Sequence, residues 1–220
     1  MLRIIALVLR KKPIIGIAGG IGSGKSFVAR LFGEMGCLVI DSDEQVRAAY
    51  LEPRVREALR RWWGEEAFER GTGEINRRFI GRKVFADEAE RKRLEALIHP
   101  VVNEYRKAAM AAAADDPQVL AYVWDTPLLF ETGLQRECDA LVFVETPEEV
   151  RRERVARTRG WDAAELERRQ KLQWPLDTKR QMSDYVVTNT ADADYARGQV
   201  RDVLSRILAR SQAGPVSGRG

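Results

Sequence analysis

Short apolar runs and helical stripes alternate along this chain, which predicts strands and helices in turn. The run Pro13-Ile14-Ile15-Gly16-Ile17-Ala18 is rich in β-branched residues, as expected of a strand that is buried in a parallel sheet. Beyond it, apolar residues recur at helical spacing, and Gly36 then supplies a stop signal. The residues of this stripe are Val28, Leu31, Phe32 and Met35. The pattern therefore predicts a strand, a turn and a helix in that order.

Further apolar runs predict four more strands, which is typical of an α/β protein. They cover residues 37–41, 118–124, 139–145 and 184–189. A closing helix follows the last of them, because its apolar residues again recur at helical spacing. These residues are Val200, Val203, Leu204, Ile207 and Leu208.

The turn after the first strand contains Gly19-Gly20-Ile21-Gly22-Ser23-Gly24-Lys25-Ser26, which fits the phosphate-loop pattern. Small residues let successive N–H groups converge into an anion nest, and a helix starting near Gly24 adds the positive end of its dipole. Lys25 supplies a mobile ammonium for the outer phosphates, and the hydroxyl of Ser26 is placed to hold Mg²⁺. Because strand, loop and helix occur in the required order, this turn is predicted to bind the phosphates of a nucleotide.

Acidic residues end two of the predicted strands, where the ligands of open α/β sheets bind. Asp41-Ser42-Asp43 ends the second strand, and its carboxylates suit Mg²⁺ or the proton of a substrate hydroxyl. The alternative is that one of the two acids only caps the next helix. Asp125 ends the third strand, as in a Walker B element whose carboxylate orients Mg²⁺ and its waters. Capping of a helix or turn remains the alternative there.

Residues 53–116 carry no convincing strand and predict a run of helices. The predicted helices cover about residues 56–63, 77–86, 87–98 and 100–114. The break between the last two is placed at His99-Pro100, because proline can occupy the first position of a helix. A long helical insertion between two strands of a nucleotide-binding sheet is a natural place for the pocket of an acceptor.

Residues 151–180 hold ten basic residues against five acids. One interpretation is a solvated helical face with pairs of opposite charge four residues apart. The other is a mobile lid, whose arginines close over the transferring phosphoryl group and exclude water. The sequence leaves both open, and about half of the charges fit the first.

The composition is that of an ordinary globular protein of 220 residues, with 45% hydrophobic and 32% charged residues. A formal net charge of +4 suits phosphorylated ligands or nucleic acid and does not choose between them. Cys37 and Cys138 have no metal-ligand spacing, so we expect reduced core residues of a cytoplasmic protein. His99 is the only histidine, and a lone histidine is more often a structural cap than a catalyst.

Two terminal segments fall outside the predicted domain. Residues 1–12 contain an apolar run that is too short to span a bilayer and that lacks the flanks of a secretory signal. We interpret them as an N-terminal extension. Residues 211–220 are rich in Gly, Pro and Ser and are predicted to be disordered.

Several motifs, in order, resemble those of the dephospho-CoA kinase family, and the match runs from Ile14 to about Leu208. The phosphate loop alone is shared with many unrelated enzymes. The elements Ile98-His99-Pro100 and Pro127-Leu128-Leu129-Phe130-Glu131, in register with it, are more specific. Departures from the family pattern are modest: Ser42 replaces a commoner alanine, and Trp174 a usually smaller apolar residue.

The resemblance implies a P-loop kinase fold of the α/β class: a five-stranded parallel sheet flanked by helices, with a helical acceptor-binding insertion and a lid. Residues 13–210 would then form one domain. Its implied parts are a core at 13–52, 117–150 and 183–210, a CoA-binding region at about 53–116 and a lid at about 151–182. The implied reaction is transfer of the γ-phosphoryl group of ATP to the ribose 3′-hydroxyl of dephospho-CoA, the last step of coenzyme A biosynthesis, with Mg²⁺.

The resemblance also implies roles for single residues. Asp43 corresponds to the acid that deprotonates the ribose hydroxyl, with Lys25, Arg154 and Arg157 as further catalytic residues. The implied nucleotide-binding residues are Gly20, Ile21, Gly22, Ser23, Gly24, Lys25, Ser26, Phe27 and Asn189, the last near the adenine. The implied acceptor-binding residues are Asp43, Arg77, His99, Leu128 and Glu131, and the implied metal-binding residues are Ser26 and Asp125. The irregular spacing of Arg154, Arg157 and Arg159 leaves open which arginine reaches the phosphate.

Two other functions remain open. A kinase of nucleosides or nucleoside monophosphates shares the loop, the strand-end acids and the lid. The other is an NTP-dependent regulator that binds RNA, which would show steeply salt-dependent binding. The chain lacks a basic stripe with interleaved aromatic residues, and this argues against such a regulator. Our expectation is a monomer that acts on the small molecule dephospho-CoA, with neither nucleic acid nor membrane as a partner.

Overall fold

The computed structural model describes residues 12–190 and 192–213, and its strands form a five-stranded sheet. The strands are β1 (Ile14–Gly19), β2 (Cys37–Asp41), β3 (Ala121–Asp125), β4 (Ala140–Glu145) and β5 (Tyr185–Thr188). Their order is β2-β3-β1-β4-β5, and each neighbouring pair runs parallel. The predicted five-stranded parallel sheet is therefore confirmed.

Parallel strands need crossover connections, and helices supply most of them here. In the first part of the chain these are α1 (Lys25–Glu34), α2 (Ser42–Ala49), α3 (Pro53–Trp63), α4 (Arg77–Ala86) and α5 (Glu88–Ala112). In the second part they are α6 (Glu148–Arg159), α7 (Ala163–Gln170) and α8 (Leu176–Gln181), and α9 (Ala193–Ala213) follows β5. The arginine-rich segment thus forms three helices, α6 to α8.

The core of the sheet consists of β-branched strand residues covered by two helices. Ile15, Val123 and Val142 are fully buried, and Phe32 of α1 and Leu204 of α9 join the same cluster. The apolar stripes predicted for both helices therefore face the core. Since a fully buried side chain of this size contributes about 1.5–3 kcal/mol, this cluster holds the strand ends, and the loops that follow them, in place.

The described residues divide into two compact units, of which Ser42–Ala111 is one and the remaining described residues are the other. The smaller unit is helical and has its own core, in which Val55 and Leu59 of α3 meet Phe79 of α4 and Ile98 and Val102 of α5. A helical region was expected at about 53–116. The unit begins earlier, because α2 starts at Ser42, directly after β2.

The predicted helix break at His99-Pro100 is wrong. Residues 88–112 form one continuous helix, α5, with Pro100 inside it. Proline removes one hydrogen bond from a helix interior, a cost of about 3 kcal/mol. The apolar residues Ile98, Val101 and Val102 on either side are buried in the same core, and this burial offsets the cost.

Most of the terminal segments lie outside the described residues. This applies to the predicted extension except Lys12, whose ammonium donates a hydrogen bond of 2.6 Å to the carbonyl oxygen of Ala113. At the other end α9 continues to Ala213, so the first residues of the predicted disordered tail are helical. Among the residues that the structure describes, no helix has the length and apolar character to cross a bilayer.

Candidate active site

The loop between β1 and α1 has the backbone of a phosphate-binding turn. Gly22 and Gly24 have φ values of 79° and 84°, in the left-handed region that favours glycine. An added Cβ on Gly22 would lie 2.7 Å from the carbonyl oxygen of Arg151, so α6 also excludes any larger residue there. Ser23 closes the turn by donating its N–H to the carbonyl oxygen of Gly20 at 3.2 Å. The predicted strand, loop and helix are therefore present.

The side chain of Ile21 points out of this loop into an apolar cluster. It packs with Val155 of α6, Leu166 of α7 and Trp161 between them. Ile21 can therefore offer its backbone to a nucleotide, while its side chain fastens the loop to the arginine-rich helices.

Lys25 folds back over the loop. Its ammonium donates hydrogen bonds to the carbonyl oxygens of Gly19 and Gly20, at 3.2 and 3.0 Å. These carbonyls hold the ammonium at the mouth of the loop, where the motif requires a cation for phosphate.

Four charged side chains act on Lys25. Burial lowers the pKa of its ammonium to about 8, the carboxylates of Asp125 and Glu131 oppose this shift, and the cations of Lys179 and Arg159 add to it. Since electrostatic effects of this kind need proximity, these four side chains, from β3, the segment after it and the arginine-rich helices, lie near one ammonium. Perturbed titration in such a cluster is typical of a functional site.

Two acids stand side by side at the carboxyl edge of the sheet. Asp41 of β2 and Asp125 of β3 are register partners, and Asp125 is buried. Ser26 lies in the first turn of α1 and is exposed. Hydroxyl and carboxylate oxygens are the hard ligands that Mg²⁺ prefers, so the donor set fits this ion. Within residues 12–190 and 192–213 no group of three or more acidic, His or Cys side chains could hold a metal by itself.

A buried ion pair links the segment after β3 to α8. Glu131 Oε1 lies 2.8 Å from the ammonium of Lys179, whose side chain is only 2% exposed. The same oxygen accepts the N–H of Trp174 at 2.8 Å, and the Trp174 ring lies 5.8 Å from that of Phe130. The pair therefore docks α8 and the residues before it onto the predicted Pro-Leu-Leu-Phe-Glu element.

The arginines of α6 have different surroundings. Arg151 is buried, burial lowers its pKa, and its Nε donates to the carbonyl oxygen of Thr146 at 3.3 Å. Arg154 donates to the carbonyl oxygens of Ser23, Asn189 and Thr190. Arg157, by contrast, is exposed. The arginines of the predicted lid therefore differ: Arg151 lies inside the protein, Arg154 binds backbone carbonyls, and Arg157 is open to solvent.

Comparison with known proteins identifies the family. The sequence model of dephospho-CoA kinases matches residues 13–194. A dephospho-CoA kinase of Nitrobacter winogradskyi is 38% identical over 194 residues, which cover 87% of this chain and 94% of that protein. The dephospho-CoA kinase of Anaeromyxobacter dehalogenans is 38% identical over 196 residues, which cover 88% of this chain and 92% of that protein.

This chain belongs to the dephospho-CoA kinase family. The predicted family is therefore confirmed, and the chain is an ATP-dependent kinase. A solved structure from Thermus thermophilus superposes with a TM-score of 0.77 at 32% identity, covering 89% of this chain and 98% of that one. The dephospho-CoA kinase of Campylobacter jejuni has a TM-score of 0.63 at 20% identity, covering 89% and 97%, and supports the fold alone. A shikimate kinase from Acinetobacter baumannii also supports the fold alone, with a TM-score of 0.51 at 19% identity, covering 92% of this chain and 96% of that one. The P-loop kinase fold is thereby confirmed.

The unit that contains the sheet brings together many of the residues that the family resemblance singled out. The phosphate loop, Asp125, Glu131, Arg154 and Asn189 all lie in it. Phe27 is partly buried against its core, and Leu128 is 41% exposed beside the end of β3. Their roles stay predictions.

The remaining predicted residues lie in the helical unit. Asp43 is exposed in the first turn of α2, two residues after the end of β2. Arg77 starts α4, whose N-terminus is capped by Asn76, and both Arg77 and His99 are exposed. Their predicted contacts with the acceptor stay predictions.

Sequence reasoning missed Thr146, and it did not foresee what Lys179 and Asn189 contact. Thr146 follows β4 directly and is buried, and its hydroxyl lies 3.0 Å from the carbonyl oxygen of Ser23. A polar residue just after a buried parallel strand was the available signal, because that edge of the sheet faces the ligand. No pattern in the chain links Lys179 to Glu131, which is 48 residues away by their numbers.

Proposed function

We propose that this kinase transfers the γ-phosphoryl group of ATP to the ribose 3′-hydroxyl of dephospho-CoA, giving coenzyme A and ADP. The observation that carries the proposal is a complete phosphate loop, with its lysine in place, in a chain that matches the family over residues 13–194. Phosphoryl transfer depends on positioning and charge neutralisation more than on covalent chemistry, and the site offers both.

The phosphate loop holds ATP. The backbone amides of residues 22–25 bind the β-phosphate, and the ammonium of Lys25 exchanges its two carbonyl partners for phosphate oxygens. Gly20, Ile21 and Phe27 border the same nucleotide. Ser26 and Asp125 would hold Mg²⁺, with Asp41 beside them. The ion, when bound, neutralises charge on the β- and γ-phosphates.

Asp43 serves as the general base. Its carboxylate takes the proton of the 3′-hydroxyl as that oxygen forms a bond to the γ-phosphorus, and the bond from phosphorus to the bridging oxygen of ADP breaks. The exposed position of Asp43 in the first turn of a helix suits a group that must meet a substrate. Arg77, His99, Leu128 and Glu131 contact the acceptor in this proposal.

The lid contributes positive charge. Arg157 and Arg159 are both exposed, so either can turn toward a transferring phosphoryl group. The charge of Arg159 contributes to the lowered pKa of Lys25, and its guanidinium carbon lies 4.9 Å from the centre of the Trp161 ring. An arginine of this kind is worth roughly 10³-fold in kcat where it reaches the transition state.

An acceptor panel tests the proposal. The purified protein is given ATP and Mg²⁺ with dephospho-CoA, adenosine, AMP or CMP, and both ADP formation and the product are followed by chromatography. We expect dephospho-CoA to be the only acceptor of the panel that is phosphorylated, and its product to co-elute with coenzyme A. Preferential turnover of a nucleoside or a nucleoside monophosphate would overturn the proposal in favour of the other small-molecule kinases.

The setting of the enzyme is also a proposal. Neither Cys37 nor Cys138 forms a disulfide within the described residues, which suits the reducing cytoplasm. We propose a cytoplasmic monomer whose partner is the small-molecule acceptor, without a nucleic acid or membrane partner.

A further inference from the structure

The carbonyl oxygen of Ser23, inside the phosphate loop, faces three donors from three different parts of the sheet unit. Asn189 Nδ2 lies at 2.8 Å, Thr146 Oγ1 at 3.0 Å and Arg154 Nη1 at 3.3 Å. Asn189 follows β5, Thr146 follows β4 and Arg154 belongs to α6. A carbonyl oxygen has two lone pairs, so these donors together occupy both and fix the direction in which the oxygen points.

These donors are themselves fixed. Ser23 is fully buried, and Thr146 and Asn189 are 9% and 6% exposed. Arg154 also donates to the carbonyl oxygens of Asn189 and Thr190, at 3.3 and 2.6 Å. The single proton of the Thr146 hydroxyl can go to the carbonyl oxygen of Ser23 or to that of Asn189, which both lie at 3.0 Å. The three side chains therefore form one network around one peptide group.

A fixed carbonyl also fixes the amide on the other side of its peptide bond. The peptide group is planar and trans, so the N–H of Gly24 points opposite to the carbonyl oxygen of Ser23. In a phosphate loop this amide belongs to the set that binds the nucleotide. If this peptide group were free to rotate, nucleotide binding would have to order it, and the entropy lost in doing so would weaken the affinity for the nucleotide.

Gly24 makes the contact possible. A Cβ on this residue would lie 2.2 Å from Nδ2 of Asn189, a distance that no real contact shows. Glycine is therefore needed here for two reasons, its φ of 84° and the side chain of Asn189 that crosses it.

We propose that Thr146, Asn189 and Arg154 are positioning residues that hold the Ser23–Gly24 peptide in the orientation that binds phosphate. The proposal rests on nucleotide binding by the loop, as proposed above. It gives Asn189 a role toward the phosphates rather than toward the adenine, and it gives Arg154 a role in the ground state rather than at the transferring group.

Two ligands separate these roles. Mg·ADP carries both adenine and phosphates, whereas pyrophosphate with Mg²⁺ carries phosphates alone. Their dissociation constants are measured by calorimetry at 15 °C for the wild type, Thr146→Val and Asn189→Ala. We expect each variant to raise the dissociation constants of both ligands by the same factor, about five- to tenfold. Thr146→Ser, which keeps the hydroxyl, should bind like the wild type.

Gln199→Met is the matched control. Gln199 makes two hydrogen bonds of 3.0 Å with the backbone of Thr188, next to Asn189, and none of them involves the loop. This variant should lower the melting temperature and leave both dissociation constants within about twofold.

Three results would overturn the inference alone. In the first, Thr146→Val or Asn189→Ala weakens the binding of ADP but not that of pyrophosphate. In the second, these variants lower the melting temperature and leave both affinities unchanged. In the third, Gln199→Met loses as much affinity as they do. If the wild type bound neither ligand, the proposed function itself would be overturned and the inference with it.

Discussion

The ammonium of Lys25 occupies a position where burial and nearby cations oppose its charge while two carboxylates favour it. Its pKa is lowered to about 8 by burial, and its hydrogen bonds go to the carbonyl oxygens of Gly19 and Gly20. A phosphate group is a stronger partner than a carbonyl, because it carries full negative charge. The arrangement therefore keeps a cation available at the mouth of the loop.

Lys25→Met should weaken ATP binding and slow phosphoryl transfer together, since Lys25 serves both. A charged hydrogen bond of about 1.5–3 kcal/mol corresponds to a loss of about 10- to 100-fold in affinity, measured by calorimetry. Lys171→Met is the control, because Lys171 is 73% exposed and pairs with Glu167 on the surface, and the change in net charge is the same. Equal effects of both variants would contradict a specific role for Lys25.

Cys37 offers a test of the core at the same scale. Burial at the start of β2 raises the pKa of its thiol to about 12, so its thiolate is scarce at pH 8. We expect iodoacetamide to modify Cys37 far more slowly in the native protein than in urea, as followed by peptide mass spectrometry. Modification at equal rates in both states would show that this strand is not buried as described.

At the scale of elements, the ion pair between Glu131 and Lys179 joins the segment after β3 to α8. Breaking a buried pair leaves one charge without its partner, at a cost of about 3–5 kcal/mol. Glu131→Gln should therefore lower the free energy of unfolding by about 3 kcal/mol, as measured with urea. The double variant Glu131→Gln/Lys179→Met should regain part of this loss, because it removes the orphaned charge.

The surface pair of Glu34 and Arg197 supplies the control for that prediction. It has the same 2.8 Å distance, but its side chains are 44% and 41% exposed. Glu34→Gln should cost less than about 1 kcal/mol. If both substitutions cost the same, the pair at Lys179 is not buried in solution.

Elements with strong periodicity were predictable, and elements decided by tertiary packing were not. The apolar runs located all five strands, because buried parallel strands are nearly continuous in β-branched residues. The helix break predicted at Pro100 was wrong, since the local preference of proline for a helix start was overridden by the buried residues on both sides. The hydrogen bond from Asn189 to Ser23 was beyond sequence reasoning, because the two residues lie 166 positions apart.

At the scale of the whole molecule, the net charge of +4 bears on the choice between a kinase and a nucleic-acid binder. Many of the cations are engaged within the protein, as Lys179 with Glu131 and Arg169 with Glu165 illustrate. We therefore expect no saturable binding of a 20-nucleotide RNA below about 10 μM in 150 mM KCl, measured by fluorescence anisotropy. Submicromolar binding with a steep salt dependence would contradict this.

The candidate site was predictable where it depends on a local motif. The loop from Gly19 to Ser26 encodes its own turn, because glycine adopts the left-handed φ values at Gly22 and Gly24 without strain. The supporting residues around it come from three later elements, and their identities follow only from the packed fold. Thr146 is the plainest case, as nothing but its place after a strand distinguishes it in the sequence.

The central claim is that the acid after the second strand takes the proton of the acceptor while the loop holds ATP. Its most direct test is single-turnover transfer by Asp43→Asn, measured by rapid quench, with Glu44→Gln as the neighbouring control and ATP affinity determined in parallel. The account predicts a transfer rate at least about 100-fold below that of the wild type, with ATP affinity unchanged and the control near wild type. A rate within about tenfold of the wild type would contradict it.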